Sequence, residues 1–309
     1  RAAKNSSVIN ALINAARNGK SVTVYMELQA RFDEEANIFW AQRLHEEGVK
    51  VIHSIPGFKV HSKLLLIQRK ETQKTISYAM INTGNFNEDT ALVYADDCLL
   101  TADPRICQDV INAFQQMESA YKPYRFRSLV LSPFSLRNHF LRMITNEIRQ
   151  AKEGKEAWMI LKLNNLVDGP VVRKLYKASQ AGVNIKLIVR GICTLIPGMP
   201  GVSDRIEGIS IVDRFLEHSR VLVFCNGGDP LYFITSADWM PRNFDTRIEV
   251  ACPVYDPEIR KELRDMLRIQ LSDNTKARIL GEGTPNRYRR TKGPSIRSQE
   301  KTYEYFKKH

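Results

Sequence analysis

The sequence predicts an α/β protein built from two similar units in tandem. Apolar spacing switches repeatedly between a helical period and strand-like runs rich in β-branched residues. A His-Ser-cation tripeptide occurs twice, as His61-Ser62-Lys63 and His218-Ser219-Arg220. Beyond each tripeptide lies a matching block, Thr83-Gly84-Asn85-Phe86 and Ser236-Ala237-Asp238-Trp239, and the step onward to Asp103-Pro104 and to Asp256-Pro257 is the same in both.

In chain order, Val8, Ile9, Leu12, Ile13 and Ala16 mark one face of a helix over 6–18, with Ser6 or Ser7 as N-cap and Gly19 as stop. Residues 21–28 read as a strand. A second helix over 33–47 carries Ile38, Trp40, Ala41 and Leu44 and closes at Gly48, and strands follow at 49–55, 60–67 and 77–84. The segment 121–127, YKPYRFR, marks the boundary, placing one unit at 1–124 and the other at 125–309. The second unit opens on an amphipathic helix within 132–154. A helix over 171–182 and strands at 183–191, 208–215, 219–224 and 231–239 then repeat the earlier order. The segment 281–298, rich in Gly, Pro and Arg, reads as a mobile basic stretch before a short final helix ending at His309.

A chain of 309 residues is long enough for two cores. No run approaches the ~18 uninterrupted apolar residues of a membrane span, so membrane contact is expected to be peripheral at most. The five cysteines, Cys98, Cys107, Cys193, Cys225 and Cys252, show no CxxC spacing, which fits a reducing cytoplasm and argues against structural zinc. Forty-six Lys and Arg against 34 Asp and Glu give a formal net charge of +12. Such a field favours polyanions without choosing among nucleic acid, anionic lipid, nucleotide and polyphosphate.

Strand alternation places His61 and Lys63 on one face and Val60, Ser62 and Leu64 on the other. A neutral imidazole is a competent nucleophile at phosphorus, and an adjacent ammonium stabilises the oxygens of a transferring phosphoryl group. An isolated His-x-Lys is more simply a packed strand histidine. The second copy argues for chemistry, since a duplicated core has no general need for a duplicated histidine. Two histidines facing one phosphorus can divide attack and proton handling. His218 stands beside Glu217 and Arg220, with Asp213 and Arg214 close by, whereas the strand of His61 is nearly uncharged; a carboxylate next to His218 would favour the imidazolium expected of an acid. Trp40, Trp158 and Trp239 read as core or cleft-wall aromatics, His45 and His139 as packed or solvated helix residues, and Asp33, Glu34 and Glu35 as an acidic first turn. Asp96 and Asp97 are ambiguous.

The duplicated motif resembles the phospholipase D superfamily, whose His-x-Lys is followed by four residues and then an Asp. Here Gln68 and Cys225 occupy those positions, which weakens a phosphodiesterase acting on nucleic acid or phospholipid. The blocks ELQARFDEEANIFWAQRL, IPGFKVHSKLLLI, NTGNFNEDTA, LKLNNLVD, SIVDRFLEHSR and SADWMPRNFDTRIEVACPV closely resemble the polyphosphate kinase family. The resemblance covers essentially the whole chain and corresponds to the two carboxy-terminal, phospholipase D-like domains of that family, whose amino-terminal and head domains would precede Arg1. It implies reversible transfer of the γ-phosphate of ATP to inorganic polyphosphate, with ATP, ADP and polyphosphate as partners, Mg²⁺ as cofactor, no nucleic acid, a cytoplasmic location and a homo-oligomeric full-length protein.

Carried over position by position, the resemblance makes His61 the phosphorylated nucleophile and His218 a candidate general acid that also contacts phosphate. Lys63 joins them as a catalytic cation, and Tyr94, Arg190, Arg220 and Arg247 are placed on the nucleotide phosphates. Arg1 and Arg31 match positions at the magnesium end of the nucleotide. An arginine keeps its proton and Mg²⁺ takes oxygen ligands, so these two are expected to hold the phosphate oxygens that bind the metal.

Overall fold

The computed structural model describes residues 2–27, 34–53, 57–119, 124–283 and 286–308. Helix α1 (Ser7–Arg17) begins where Ser6 Oγ accepts the Ile9 amide at 3.3 Å. It is followed by β1 (Thr23–Tyr25), α2 (Glu34–Glu46) and β2 (Lys50–Ile52), and β1 and β2 pair in parallel. After β3 (Lys59–Val60), the antiparallel strands β4 (Lys63–Lys70), β5 (Thr75–Asn82) and β7 (Cys98–Thr101) form a three-stranded sheet. Between the last two lie α3 (Glu88–Ala91) and β6 (Tyr94–Ala95), and α4 (Pro104–Glu118) closes the series, with Asp103 capping the amide of Arg105 at 2.8 Å.

The second series begins with β8 (Val130–Leu131), α5 (Leu136–Lys152), β9 (Trp158–Leu163), α6 (Gly169–Gln180), β10 (Asn184–Val189) and β11 (Ile206–Ile211). It continues through β12 (Leu216–Glu217), β13 (Val221–Phe224), β14 (Leu231–Thr235), α7 (Pro241–Asp245), β15 (Arg247–Ile248) and β16 (Val250–Val254). Helix α8 (Pro257–Ser272) repeats the Asp-Pro start of α4, its cap Asp256 accepting from Glu258 and Ile259. The chain ends with β17 (Ala277–Ile279) and α9 (Ser298–Lys307). One eight-stranded sheet, ordered β17-β11-β10-β9-β13-β14-β16-β8, is the centre of this half.

One face of that sheet packs on α5 and α6 through Phe140, Ile144, Leu161, Leu175 and Trp239. The other face contributes Val221, Val223, Ile234 and Cys252 to a core completed by Ala79, Ile81, Leu99 and Val110 of the first half. The halves are thus joined by continuous apolar packing, which fixes whatever lies along the seam. A third, smaller core unites α1, α2 and β2 around Ile9, Ile13, Trp40 and Leu44.

The expected strands prove shorter in the first half, where β1 and β2 span three residues each. The basic stretch before the last helix is ordered in its described part, contrary to expectation. The Arg289 amide bonds Ala277 O at 2.7 Å, Arg290 Nη1 donates to Asn274 O at 2.9 Å, and Asn274 and Ile296 exchange backbone and side-chain bonds. The side chains of Arg289 and Arg290 are spent on helix-end and loop carbonyls, which composition does not reveal. No helix among the described residues is long and apolar enough to cross a membrane.

Candidate active site

Four short strands cross the seam in pairs. β3 lies parallel to β15, with Lys59 opposite Arg247 and Val60 opposite Ile248. β6 lies parallel to β12, with Tyr94 opposite Leu216 and Ala95 opposite Glu217. Beyond each pair, one carbonyl of the opposite half takes two amides. Ile248 O accepts from His61 and Ser62, both at 2.9 Å, and Ala95 O accepts from His218 at 3.0 Å and Ser219 at 2.9 Å. Each histidine is therefore set by the half that does not contain it, in two arrangements related as a repeat.

The rings are oriented the same way. His61 Nδ1 lies 2.9 Å from Glu249 Oε2, and His218 Nδ1 lies 2.7 Å from Asp96 Oδ1. An ionised carboxylate only accepts, so Nδ1 carries the proton and Nε2 is left with its lone pair. Glu249 is fully buried and is itself fixed by Ser236 Oγ at 2.5 Å and Asn243 Nδ2 at 2.6 Å, while Asp96 accepts from Thr83 Oγ1 at 2.6 Å. Burial pushes both carboxyls upward, yet the histidines, the nearby cations and these donors hold them below the usual range.

Burial lowers His61 to about 4, helped by the charges of Lys63 and Arg220 and opposed by Glu249. His218 is lowered for the same reasons, burial first, with Arg220 and Lys63 assisting and Asp96 opposing. Lys63 thus acts on His218 and Arg220 on His61, each on the histidine of the opposite motif, so both clusters belong to one cleft. The expected contrast between the two rings does not hold. Glu217 pairs with Lys162 at 2.8 Å and Asp213 with Arg297 at 2.7 Å, so neither serves His218, and the supposedly uncharged surroundings of His61 include Glu249.

Lys63 is buried and donates to His61 O. Arg220 donates to His218 O at 2.8 Å, lies 3.3 Å from His218 Nε2 and pairs with Asp238 at 3.2 Å. Asp238 falls to about 2: burial raises it, but Arg220 and the Asn164 and Asn165 donors outweigh that. Arg190 Nε donates to Glu217 O at 2.7 Å and to Asn164 Oδ1, and the Tyr94 ring stands 5.0 Å from that of His218. Beside His61, a cavity of about 540 Å³ has Lys63, Asn85, Arg242 and Arg247 in its walls. The structure therefore gathers His61, Lys63 and Arg247 on one side and His218, Arg220, Arg190 and Tyr94 on the other. Arg1 and Arg31 lie outside the described residues. A larger cavity of about 810 Å³, walled by Trp158, Tyr232 and Arg264, holds none of these groups.

Sequence reasoning missed Glu249 and Arg242 and left Asp96 undecided. The repeat itself held the signal, since Asp96 stands as far beyond Asn85 as Glu249 beyond Asp238. Asp97 is a different case: burial pushes its carboxyl up, and its Oδ2 is buried with no hydrogen-bond partner. Among the described residues, no three His, Cys, Asp or Glu side chains converge into a metal site. The cleft has a positioned imidazole with an exposed lone pair, a twin across the seam and cations around both, which suits transfer of a phosphoryl group.

The family described as polyphosphate kinase C-terminal domain 1 matches residues 1–123, and polyphosphate kinase C-terminal domain 2 matches 129–299. The polyphosphate kinase of Vibrio vulnificus strain YJ016 is 52% identical over 99% of this chain, and that of Escherichia coli K12 is 51% identical over 99%. The chain spans 44% and 45% of those relatives' lengths, less than half. A crystal structure of polyphosphate kinase from Porphyromonas gingivalis superposes with a TM-score of 0.91 at 43% identity, covering 98% of this chain and 47% of that one. The phosphatidylserine synthase of Haemophilus influenzae Rd KW20 shares the fold, with a TM-score of 0.52 at 10% identity, 97% of this chain and 90% of that one being covered.

Proposed function

Because the chain belongs to the polyphosphate kinase family, we propose that it carries the catalytic half of such an enzyme and moves the γ-phosphate of ATP onto and off polyphosphate through His61. The observation that carries this reading is the His61 ring itself: its Nδ1 proton points at Glu249, and its depressed basicity keeps Nε2 unprotonated at neutral pH. In this reading Nε2 attacks the γ-phosphorus, a P–N bond forms, and the bond to the bridging β–γ oxygen breaks with ADP as leaving group. A terminal polyphosphate oxygen then attacks the phosphohistidine, the P–N bond breaks, and a chain longer by one phosphate departs. One phosphoanhydride replaces another, so the cycle runs in both directions.

Lys63 and Arg247 neutralise charge on the transferring group, and Arg190, Arg220 and Tyr94 hold the neighbouring phosphates. His218 is neutral at pH 7 in the unliganded cleft. The negative charge of bound phosphates raises its basicity, so that the ring takes up from solvent the proton that its acid role requires. Mg²⁺ would be held by phosphate oxygens of the nucleotide and would supply charge neutralisation there; Arg1 and Arg31 are assigned to that end of the substrate. Residues 1–124 and 125–309 form the two catalytic domains, and the same reading includes a homo-oligomeric, cytoplasmic full-length protein that touches membranes at most peripherally.

The test is incubation with γ-labelled ATP and Mg²⁺ followed by acid or alkali. The expected product is label on the protein that acid removes and alkali leaves. Label that survives acid, or none in wild-type protein that retains its full-length context, would refute the mechanism.

A further inference from the structure

The segment that delivers His218 has two edges. One is covered by β6, since Leu216 N bonds Val93 O at 2.9 Å and His218 N bonds Ala95 O at 3.0 Å. The other is covered by a side chain from the first turn of α9. Gln299 Oε1 accepts the Phe215 amide at 2.9 Å, and its Nε2 donates to Phe215 O at 2.8 Å and to Glu217 Oε1 at 2.9 Å. One amide side chain thus satisfies both polar groups of the Phe215 backbone, as a neighbouring strand would.

Glu217 carries the restraint inward. Its Oε2 accepts from Lys162 at 2.8 Å and Gln270 at 3.1 Å, and Lys162 also donates to Ser219 Oγ at 2.7 Å. Glu217, Lys162 and Gln270 are exposed by 5%, 2% and 4%, so the network excludes water on both sides of His218 in sequence. Helix α9 is itself anchored at that end: Arg297 makes two bonds to Asp213 at 2.8 and 2.7 Å, and the Ser298 amide bonds Asp273 Oδ2 at 2.7 Å.

We infer that Gln299 is a positioning residue for His218, fixing β12 against β6 so that the imidazole meets both Asp96 and the cleft. The kinetic part of this inference rests on the role proposed for His218; the structural part does not. Phe215 is exposed, so water can replace the amide there, and loss of Gln299 releases the segment without opening the core. Glu217 cannot recruit water as readily and loses one of its three donors.

The test uses the whole chain with carbon-13-labelled histidine, the ring signals of His61 and His218 being assigned from His61→Gln and His218→Gln proteins. Gln299→Ala is expected to shift and broaden the His218 ring signal while His61 stays in place. It is also expected to lower kcat at least ~10-fold, as a small misplacement of a reacting group does, with less than a twofold change in KM for ATP. Gln299→Glu keeps the acceptor for Phe215, loses both donors and faces Glu217 with a second carboxylate, so it should move the same signal further. Should the alanine protein fail to fold, Gln299→Met preserves length and packing and takes its place. An unmoved His218 signal in a folded variant overturns the inference, as does equal movement of both histidines, which would mean general loosening. A His218 signal that moves alone supports Gln299 as its anchor even where wild-type protein in its full-length context transfers no phosphate, a result that refutes the catalytic reading instead.

Discussion

At the scale of single residues, the cleft depends on two carboxylates that hold two rings. Glu249→Gln keeps the shape but offers an amide in place of an ionised acceptor, and the His61 tautomer is then no longer enforced. Turnover in the full-length enzyme should fall ~10²-fold or more, by analogy with other carboxylate-oriented histidines, while urea unfolding moves little. His61→Ala should abolish the acid-labile label altogether. The depressed histidines also tie stability to pH. His61 and His139 both titrate near 4 when folded, each lowered first by burial, against about 6.5 when unfolded. Between these values the unfolded chain binds more protons, so stability is complete above about pH 6.5 and is lost as pH falls toward 4. Each ring contributes at most ~1.4 kcal/mol per pH unit in that window. Urea midpoints at pH 7 and pH 5 should show the loss, and His139→Phe, which packs beside Phe140 and Phe233, should flatten the slope. The two histidines and their flanking cations were legible in the sequence because the motif is local and occurs twice. Glu249 was not, since it lies 188 residues from His61 and the contact exists only after the seam closes.

At the scale of elements, the start of the second half is tied to α4 through the carboxylate of Asp109. Asp109 Oδ2, on α4, accepts the amides of Arg127, Ser128 and Leu129 at 2.8, 2.6 and 2.9 Å, and Asp109 is 2% exposed. Asp109→Ala leaves three backbone donors without that acceptor and should cost about 2–3 kcal/mol in equilibrium unfolding, the range for bonds to a charged group. Helix α1 was read from sequence because Ser6 announces its start by local chemistry, whereas α4 and α8 were not placed, although Asp103 and Asp256 cap them in the same local way. Strands were overextended in the first half, and the basic segment near the end was misjudged. In both cases the deciding partners are distant: β3 and β6 exist as strands only by pairing across the seam, and Arg290 is held by the carbonyls of Asn274 and Thr275.

For the whole molecule, a formal charge of +12 and a cleft walled by Lys63, Arg190, Arg220, Arg242 and Arg247 predict that polyphosphate binding weakens steeply with salt, through release of counterions. Fluorescence anisotropy with an end-labelled polyphosphate at rising KCl should give a linear fall of log affinity against log salt. A flat response would mean few, shielded contacts.

The exchanged strands also bear on how the chain is made. During synthesis the first half leaves the ribosome while Ala79, Ile81 and Leu99 still lack the sheet that covers them, and β3 and β6 still lack their pairing edges. The His61 ring has neither its backbone acceptor nor its carboxylate until Ile248 and Glu249 have been translated and folded into place. A nascent or truncated product is therefore unable to assemble the cleft, and its apolar seam stays uncovered during that interval. The arrangement that divides one site between two halves thereby makes the cleft a property of the finished pair, which neither half possesses by itself.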